Sequence, residues 1–218
     1  IGRVGAYGEI AMSAGYISIH FVNVIDHLPT VAPWGGAESR FVTNPLCIAI
    51  PGTENTPSTL LDMATSKIAL GKVRVAMSRG EKLSPNLVID NKGRPSTDPS
   101  VMYDDPRGSL LPFGTHKGSG LALMCELLAG GLSGGGTIQP ENPRRESIVN
   151  NMFTVVIDPA RLVDTSWLNS EIDAMIAYVK SAQPADPKKP VLVAGDPERS
   201  HVIECNADGL EINDQAWE

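Results

Sequence analysis

A basic pair, His116-Lys117, sits inside the run Gly114-Thr115-His116-Lys117-Gly118-Ser119-Gly120. The residues after it, Leu121, Leu123, Met124, Leu127 and Leu128, give a broad apolar surface with helical spacing, and Gly130-Gly131 and Gly134-Gly135-Gly136 close it. Backbone N–H groups at a helix N-terminus, flexible glycines and a cation together suit an anion such as a phosphate or carboxylate. In this reading Lys117 supplies the charge and Gly118 the close backbone approach. The alternative is a glycine turn that merely carries surface basic residues. The run is not a Walker A motif, because Lys117 is followed by Gly118 rather than Ser or Thr, and it does not fit G-x-G-x-x-G.

Asp62-Met63-Ala64-Thr65-Ser66 forms a second candidate, at the junction between a short strand through Leu60 and Leu61 and a helical pattern through Ile68, Ala69, Lys72, Val73 and Ala76. Strand ends are common ligand positions in α/β sheets. A capping role for Asp62, Thr65 or Ser66 is the competing explanation. The remaining polar residues point to structure. His20 falls on the polar face of a strand, and His27 and His201 fall in loops without a matched carboxylate or cysteine spacing, so no metal site is expected. Asp104-Asp105 reads as a solvated turn, and Thr43-Asn44-Pro45 as a turn with Asn44 held extended by the following proline. Neither G-x-S-x-G nor H-E-x-x-H occurs.

Several elements must position these groups. Ala6, Ile10, Ala11 and Ala14 repeat as on a helix, with Gly15 as its stop. Tyr16 to Val22 alternates as a strand with Ile17, Ile19 and Phe21 on its apolar face, and a long turn-rich connection from Asn23 to Pro45 centres on Pro33-Trp34-Gly35-Gly36. Leu46 to Ile50 is a strand followed by a Pro51 to Pro57 turn. Asn86 to Asp90 is another strand, turned by Asn91-Lys92-Gly93, with an exposed loop from Gly93 to Gly108. Met152 to Asp158 is a strand, Asn169 or Ser170 caps a helix carrying Ile172, Met175, Ile176 and Val179, and Val191 to Val193 is a short strand running into Gly195-Asp196-Pro197-Glu198. Strands and helices alternate without regular βαβ spacing, which predicts an α/β fold with a mixed sheet.

The 218 residues carry 18 Lys and Arg against 25 Asp and Glu, a formal net charge of -7 that argues against nucleic acid and anionic membranes as general partners. An anionic ligand must therefore be held by local basic residues. The hydrophobic share of 42% is that of a globular chain, while 21 glycines and 17 prolines make it rich in loops. Cys47, Cys125 and Cys205 are odd in number and lack paired spacing, which predicts free thiols and a reducing, cytoplasmic setting. No apolar run reaches the ~18 residues of a membrane span. The chain opens on Ile1-Gly2-Arg3 and ends on Asp214-Gln215-Ala216-Trp217-Glu218 in mid-pattern, so residues 1–218 are expected to be an internal part of a longer chain.

Thr43-Asn44-Pro45, the run Leu61 to Ser66 with Gly71-Lys72, and Gly114 to Leu121 together resemble the malate/L-lactate dehydrogenase-like family of NAD(P)-dependent oxidoreductases without a Rossmann fold. The likeness runs in order from Ile1 to about Gly209. Ser18-Ile19-His20-Phe21-Val22, Ser39-Arg40-Phe41 and Met124-Cys125-Glu126 look closest to the hydroxycarboxylate dehydrogenase branch. The resemblance implies a largely antiparallel mixed sheet flanked by helices, a homodimer, NAD or NADP as cofactor, and interconversion of a small 2-hydroxy acid with its 2-oxo acid. It also implies that Asp62, Met63 and Ala64, then Lys117 and Gly118, then Ala194, Gly195 and Asp196 contact the cofactor. Two departures stand out: the third segment has Ala194 where the family usually has proline, and the serine that follows the first strand in the family is replaced near Val24.

The family's candidate acid/base histidines lie in an N-terminal helical region and just ahead of Gly2-Arg3, so the resemblance places the catalytic residue N-terminal to Ile1. Reduction of a carbonyl needs a proton donor and a cation for the carboxylate, and His116 is the only histidine of this sequence inside a candidate site. The competing function is a non-catalytic anion-binding or scaffold protein that retains the fold.

Overall fold

The computed structural model describes residues 2–142 and 147–210; the terminal run 214–218 lies outside them. Strands β1 (Ile17–Ile25), β2 (Leu46–Ile50), β3 (Thr59–Met63) and β7 (Val149–Ile157) form one sheet in the order β3-β2-β1-β7. Strands β4 (Val88–Ile89), β5 (Pro95–Ser96) and β6 (Ser109–Leu110) form another, in which Val88 faces Ser96 on one side and Leu110 on the other, both pairings antiparallel. Helices α1 (Gly5–Ser13), α2 (Leu70–Ser78), α3 (His116–Cys125), α4 (Thr165–Lys180) and α5 (Asp196–Asp208) flank them. This is the expected α/β arrangement, and it differs from the doubly wound parallel sheet of a Rossmann fold.

The chain folds as two compact units, Ile1–Val4 with His20–Leu46 and Asp62–Thr154, and Gly5–Ile19 with Cys47–Leu61 and Val155–Glu218. The first unit is built on Val31, Val73, Leu83, Val88, Met102 and Leu110, all buried, with Phe41, Ile68 and Leu70 packed around them. Val24, Val42 and Ile138 form a smaller cluster. Burying each such side chain contributes about 1.5–3 kcal/mol. In the second unit Asp173 of α4 accepts hydrogen bonds from Thr53 Oγ1, Asn55 Nδ2 and Thr56 Oγ1, which fastens the turn between β2 and β3 to that helix.

Several boundaries differ from the sequence reading. β1 extends to Ile25, and its fully covered side carries Ser18, His20 and Val22, while Ile17, Ile19 and Phe21 are half-buried. Both faces of this strand are covered, so the polar face is not the solvent face. The connection after β1 is partly ordered by bridges of Val31 to Phe41 and Leu110. The strand seen in Asn86 to Asp90 shrinks to β4, and the loop after Gly93 contains β5 and a 3₁₀ turn at Pro99–Met102. α2 starts at Leu70, after an extended Ala69. α4 starts four or five residues before the expected caps, because Asp164 accepts the Trp167 N–H at 2.9 Å. Val191 to Val193 form no strand. Instead Pro197 in the first turn of α5, with Asp196 and Glu198, starts a helix that the sequence pattern hides. α5 has no buried residue, so it carries no apolar stripe to reveal its period.

Candidate functional site

Asp62 and Met63 close β3 with Ala64 just past its end, and the residues beyond are stitched to the turn that opens α3. Thr65 N–H donates to Thr43 O at 2.9 Å, Phe113 N–H to Thr65 O at 3.0 Å, and Lys67 N–H to Leu111 O at 2.8 Å. Two of the three predicted cofactor segments thus meet along one short seam in the first unit. Gly114 at φ 52° and Thr115 at φ 58° swing the chain sharply into α3, and the Thr115 hydroxyl donates to Gly114 O rather than capping the helix.

Gly118 lies against this seam. A Cβ at that position would come within 2.3 Å of Phe113 O and 2.8 Å of Thr65 O. The close backbone approach at Gly118 is to the chain's own Phe113 O and Thr65 O. Its N–H donates to Phe113 O at 3.0 Å and that of Lys117 to Gly114 O at 3.2 Å, so these two helix-opening donors are already engaged. The side chains of His116 and Lys117 are exposed, and the Lys117 ammonium has no partner among the described residues. The His116 ring stands edge-on to Trp34 at 5.7 Å between centroids, and Trp34 N–H donates to Ser119 Oγ at 3.0 Å.

A buried carboxylate behind α3 holds the region. Glu126 opens the π-helical continuation Glu126–Leu132, a distortion often associated with functional sites. It accepts hydrogen bonds from Asn44 Nδ2 at 2.8 Å, Asn23 Nδ2 at 3.0 Å and Ile138 N–H at 2.9 Å. Asn44 donates in addition to Ala122 O at 3.1 Å. The expectation that proline holds Asn44 extended fails: its φ is 27°, because its buried side chain must reach Glu126 and Ala122. Sequence reasoning missed this network. The available signal was that Glu126 is the sole charged residue between Lys117 and Glu141, and a lone charge in an apolar helix is buried only with partners.

Ala194, Gly195 and Asp196, the third predicted segment, belong to the second unit. Gly195, at φ 94°, precedes α5, and Asp196 is the first residue of that helix. Asp196 binds Lys180 Nζ at 2.9 Å, Arg199 Nη2 at 2.5 Å and the Val193 N–H at 3.0 Å. Burial pulls its carboxyl upward, but the Val193 N–H, Lys180 and Arg199 outweigh it and hold the carboxyl down at about 2. Arg199 also donates to Ser58 O at 2.7 Å, so this segment is a structural clasp within its unit.

The other polar candidates separate cleanly. His20 is buried, with Nδ1 at 2.9 Å from Thr154 Oγ1, and its pKa is lowered by burial against a counter-pull from Asp62. His27 Nδ1 lies 2.7 Å from the carbonyl of Leu28, and Asp104 and Asp105 are exposed in a surface depression with Asp90 and Asn91. His201 lies on α5, beside Cys205, rather than in a loop. Among the described residues no group of three or more His, Cys, Asp or Glu side chains is placed to hold a metal ion, and no helix is long and apolar enough to cross a membrane.

An α/β fold of this topology, with these two segments joined, falls into a defined class: the chain belongs to the malate/L-lactate dehydrogenase family, whose model matches residues 1–218. It is 43% identical over 217 residues to L-lactate dehydrogenase of Cupriavidus necator, covering 100% of this chain and 62% of that one. It is also 43% identical over 220 residues to hydroxycarboxylate dehydrogenase B of Escherichia coli, covering 100% and 60%. Sulfolactate dehydrogenase from Methanocaldococcus jannaschii superposes with a TM-score of 0.78 at 32% identity, over 99% of this chain and 60% of that one. A solved structure of malate/lactate dehydrogenase type from E. coli superposes with a TM-score of 0.92 at 42% identity, over 100% and 60%. The chain spans about three fifths of the length of the relatives it matches.

Proposed function

We propose that this chain is the cofactor-binding core of an NAD(P)-dependent oxidoreductase that interconverts a small 2-hydroxy acid and its 2-oxo acid. The observation that carries the reading is the seam at Thr65, Phe113 and Gly118, which joins the backbone just after Asp62-Met63-Ala64 to the turn that carries Lys117, whose ammonium has no partner among the described residues. Lys117 has the charge, the exposure and the place at a helix start to hold a cofactor phosphate. Asp62 offers a carboxylate to hydroxyl or amide hydrogens of the same ligand. When bound, the nicotinamide supplies or accepts the hydride. Ala194, Gly195 and Asp196 are carried into the proposal by family likeness, and the clasp around Asp196 makes backbone groups the part of that segment able to serve.

The proton donor and the cation for the substrate carboxylate are assigned to the part of the relatives' length that this chain does not span, with His116 as the candidate inside this chain. A homodimer working in the cytoplasm belongs to the same proposal. The test is NADH and NADPH titration of the full-length protein, followed by oxidation assays with a panel of 2-oxo acids. Lys117→Ala should weaken nucleotide binding about tenfold, the range for a charge-assisted phosphate contact, while leaving the thermal midpoint in place. Nucleotide affinity that is absent in the wild-type protein, or untouched by that substitution, would count against the reading and leave the scaffold alternative.

A further inference from the structure

Trp34 is two-thirds exposed, at 65%, yet it is held more firmly than a surface tryptophan in a loop needs to be. It occupies the second position of a turn in which Gly36 N–H donates to Pro33 O at 2.9 Å, and Gly35, at φ 78°, takes the third position that a type II turn reserves for glycine. The turn is anchored from below by Val31 and Ala32, both fully buried, with Ala32 N–H donating to Leu110 O at 3.0 Å. Its flank is fixed by the Trp34 N–H on Ser119 Oγ, 3.0 Å away in the first turn of α3. The indole then meets the His116 ring edge-on at 5.7 Å and 64°, one residue from Lys117.

Resting on the proposed nucleotide function, we propose that Trp34, backed by His116, is the wall on which a planar ring of the bound dinucleotide stacks while Lys117 holds its phosphate. A rigid indole exposes one large π-face at little cost in conformational entropy. Edge-on contact with His116 occupies an edge or a small part of the ring and leaves that face open. Stacking is tolerant of ring identity, so the shared chemistry is a flat heteroaromatic ring, with nicotinamide and adenine as its two sources.

The test uses the full-length protein. Trp34→Ala should weaken NADH binding about tenfold, the range for loss of one base–aromatic stack, with an unchanged thermal midpoint. Reduced nicotinamide mononucleotide and ADP-ribose are titrated in parallel, and the one whose affinity falls names the ring. Should Trp34→Ala fail to fold, Trp34→Phe keeps an aromatic face, and energy transfer from tryptophan to bound NADH should then drop sharply while affinity stays within about threefold. Wild-type affinity in a folded Trp34→Ala protein, or full energy transfer in Trp34→Phe, overturns the stacking role and leaves the nucleotide reading standing. Absence of NADH binding in the wild-type protein removes both.

Discussion

Glu126 Oε1 accepts a hydrogen bond from Asn44 Nδ2 at 2.8 Å, between two buried side chains separated by 82 residues of sequence. The bond ties α3 and its π-helical continuation to the turn that carries Thr43, and Thr43 O in turn accepts both the N–H and the hydroxyl of Thr65. The turn that opens α3 and the end of β3 are therefore held by one polar network. Its Asn23, Asn44 and Ile138 donors all find acceptors, while Asn44 Oδ1 is buried without a hydrogen-bond partner among the described residues.

Glu126→Ala should be strongly destabilising. It strips acceptors from Asn23, Asn44 and Ile138 at once, and each orphaned buried donor costs about 1–3 kcal/mol. Urea unfolding should show a loss of at least about 3 kcal/mol relative to wild type. A loss below about 1 kcal/mol would mean that water reaches these groups and that the network is not closed.

Two glycines two residues apart on α3 make a paired prediction. Gly118→Ala drives a methyl group into Phe113 O and Thr65 O and should cost about 2–3 kcal/mol, with weaker nucleotide binding because the seam must open. Gly120→Ala meets nothing within 4 Å and lies in the same helix, so it should be neutral or stabilise by up to about 1 kcal/mol. Thermal midpoints of the two variants check this; equal effects would contradict the packing described.

Stability should fall as the solution is acidified through the histidine range. Burial depresses the pKa of His20 below 6.5, against the opposing pull of Asp62, so the folded chain keeps a neutral ring where the unfolded chain takes a proton. The unfolded state then binds more protons below pH 6.5, and stability declines as pH drops from 6.5 through the lowered folded value. His20→Gln should flatten that decline in urea midpoints measured across the window. An identical slope in the variant would assign the effect to other groups.

The three thiols should differ in reactivity. Cys47 and Cys125 are buried, and burial raises the Cys125 thiol to about 12, whereas Cys205 on α5 is partly open. A thiol reagent should modify Cys205 in the native protein, with the other two reacting only after denaturant is added. Rapid native modification of Cys125 would show that the region around Asn44 opens readily.

The amino-acid sequence by itself determined what depends on neighbours in the chain. The glycine-flanked Lys117, the strand Leu46–Ile50, the stop at Gly15 and the apolar helix after Ser119 are visible because each is set by local residue types and spacing. The resemblance carried by Asp62-Met63-Ala64 and Gly114 to Leu121 was likewise legible. Tertiary structure alone decided that both faces of β1 are covered, why Gly118 must be glycine, and that Glu126 meets Asn44. It also revealed α5, a helix held by its first-turn charges and the Asp196 clasp rather than by an apolar stripe. The physical reason is common to all of these: burial and hydrogen-bond satisfaction depend on groups tens of residues away, and no periodicity records who those groups are.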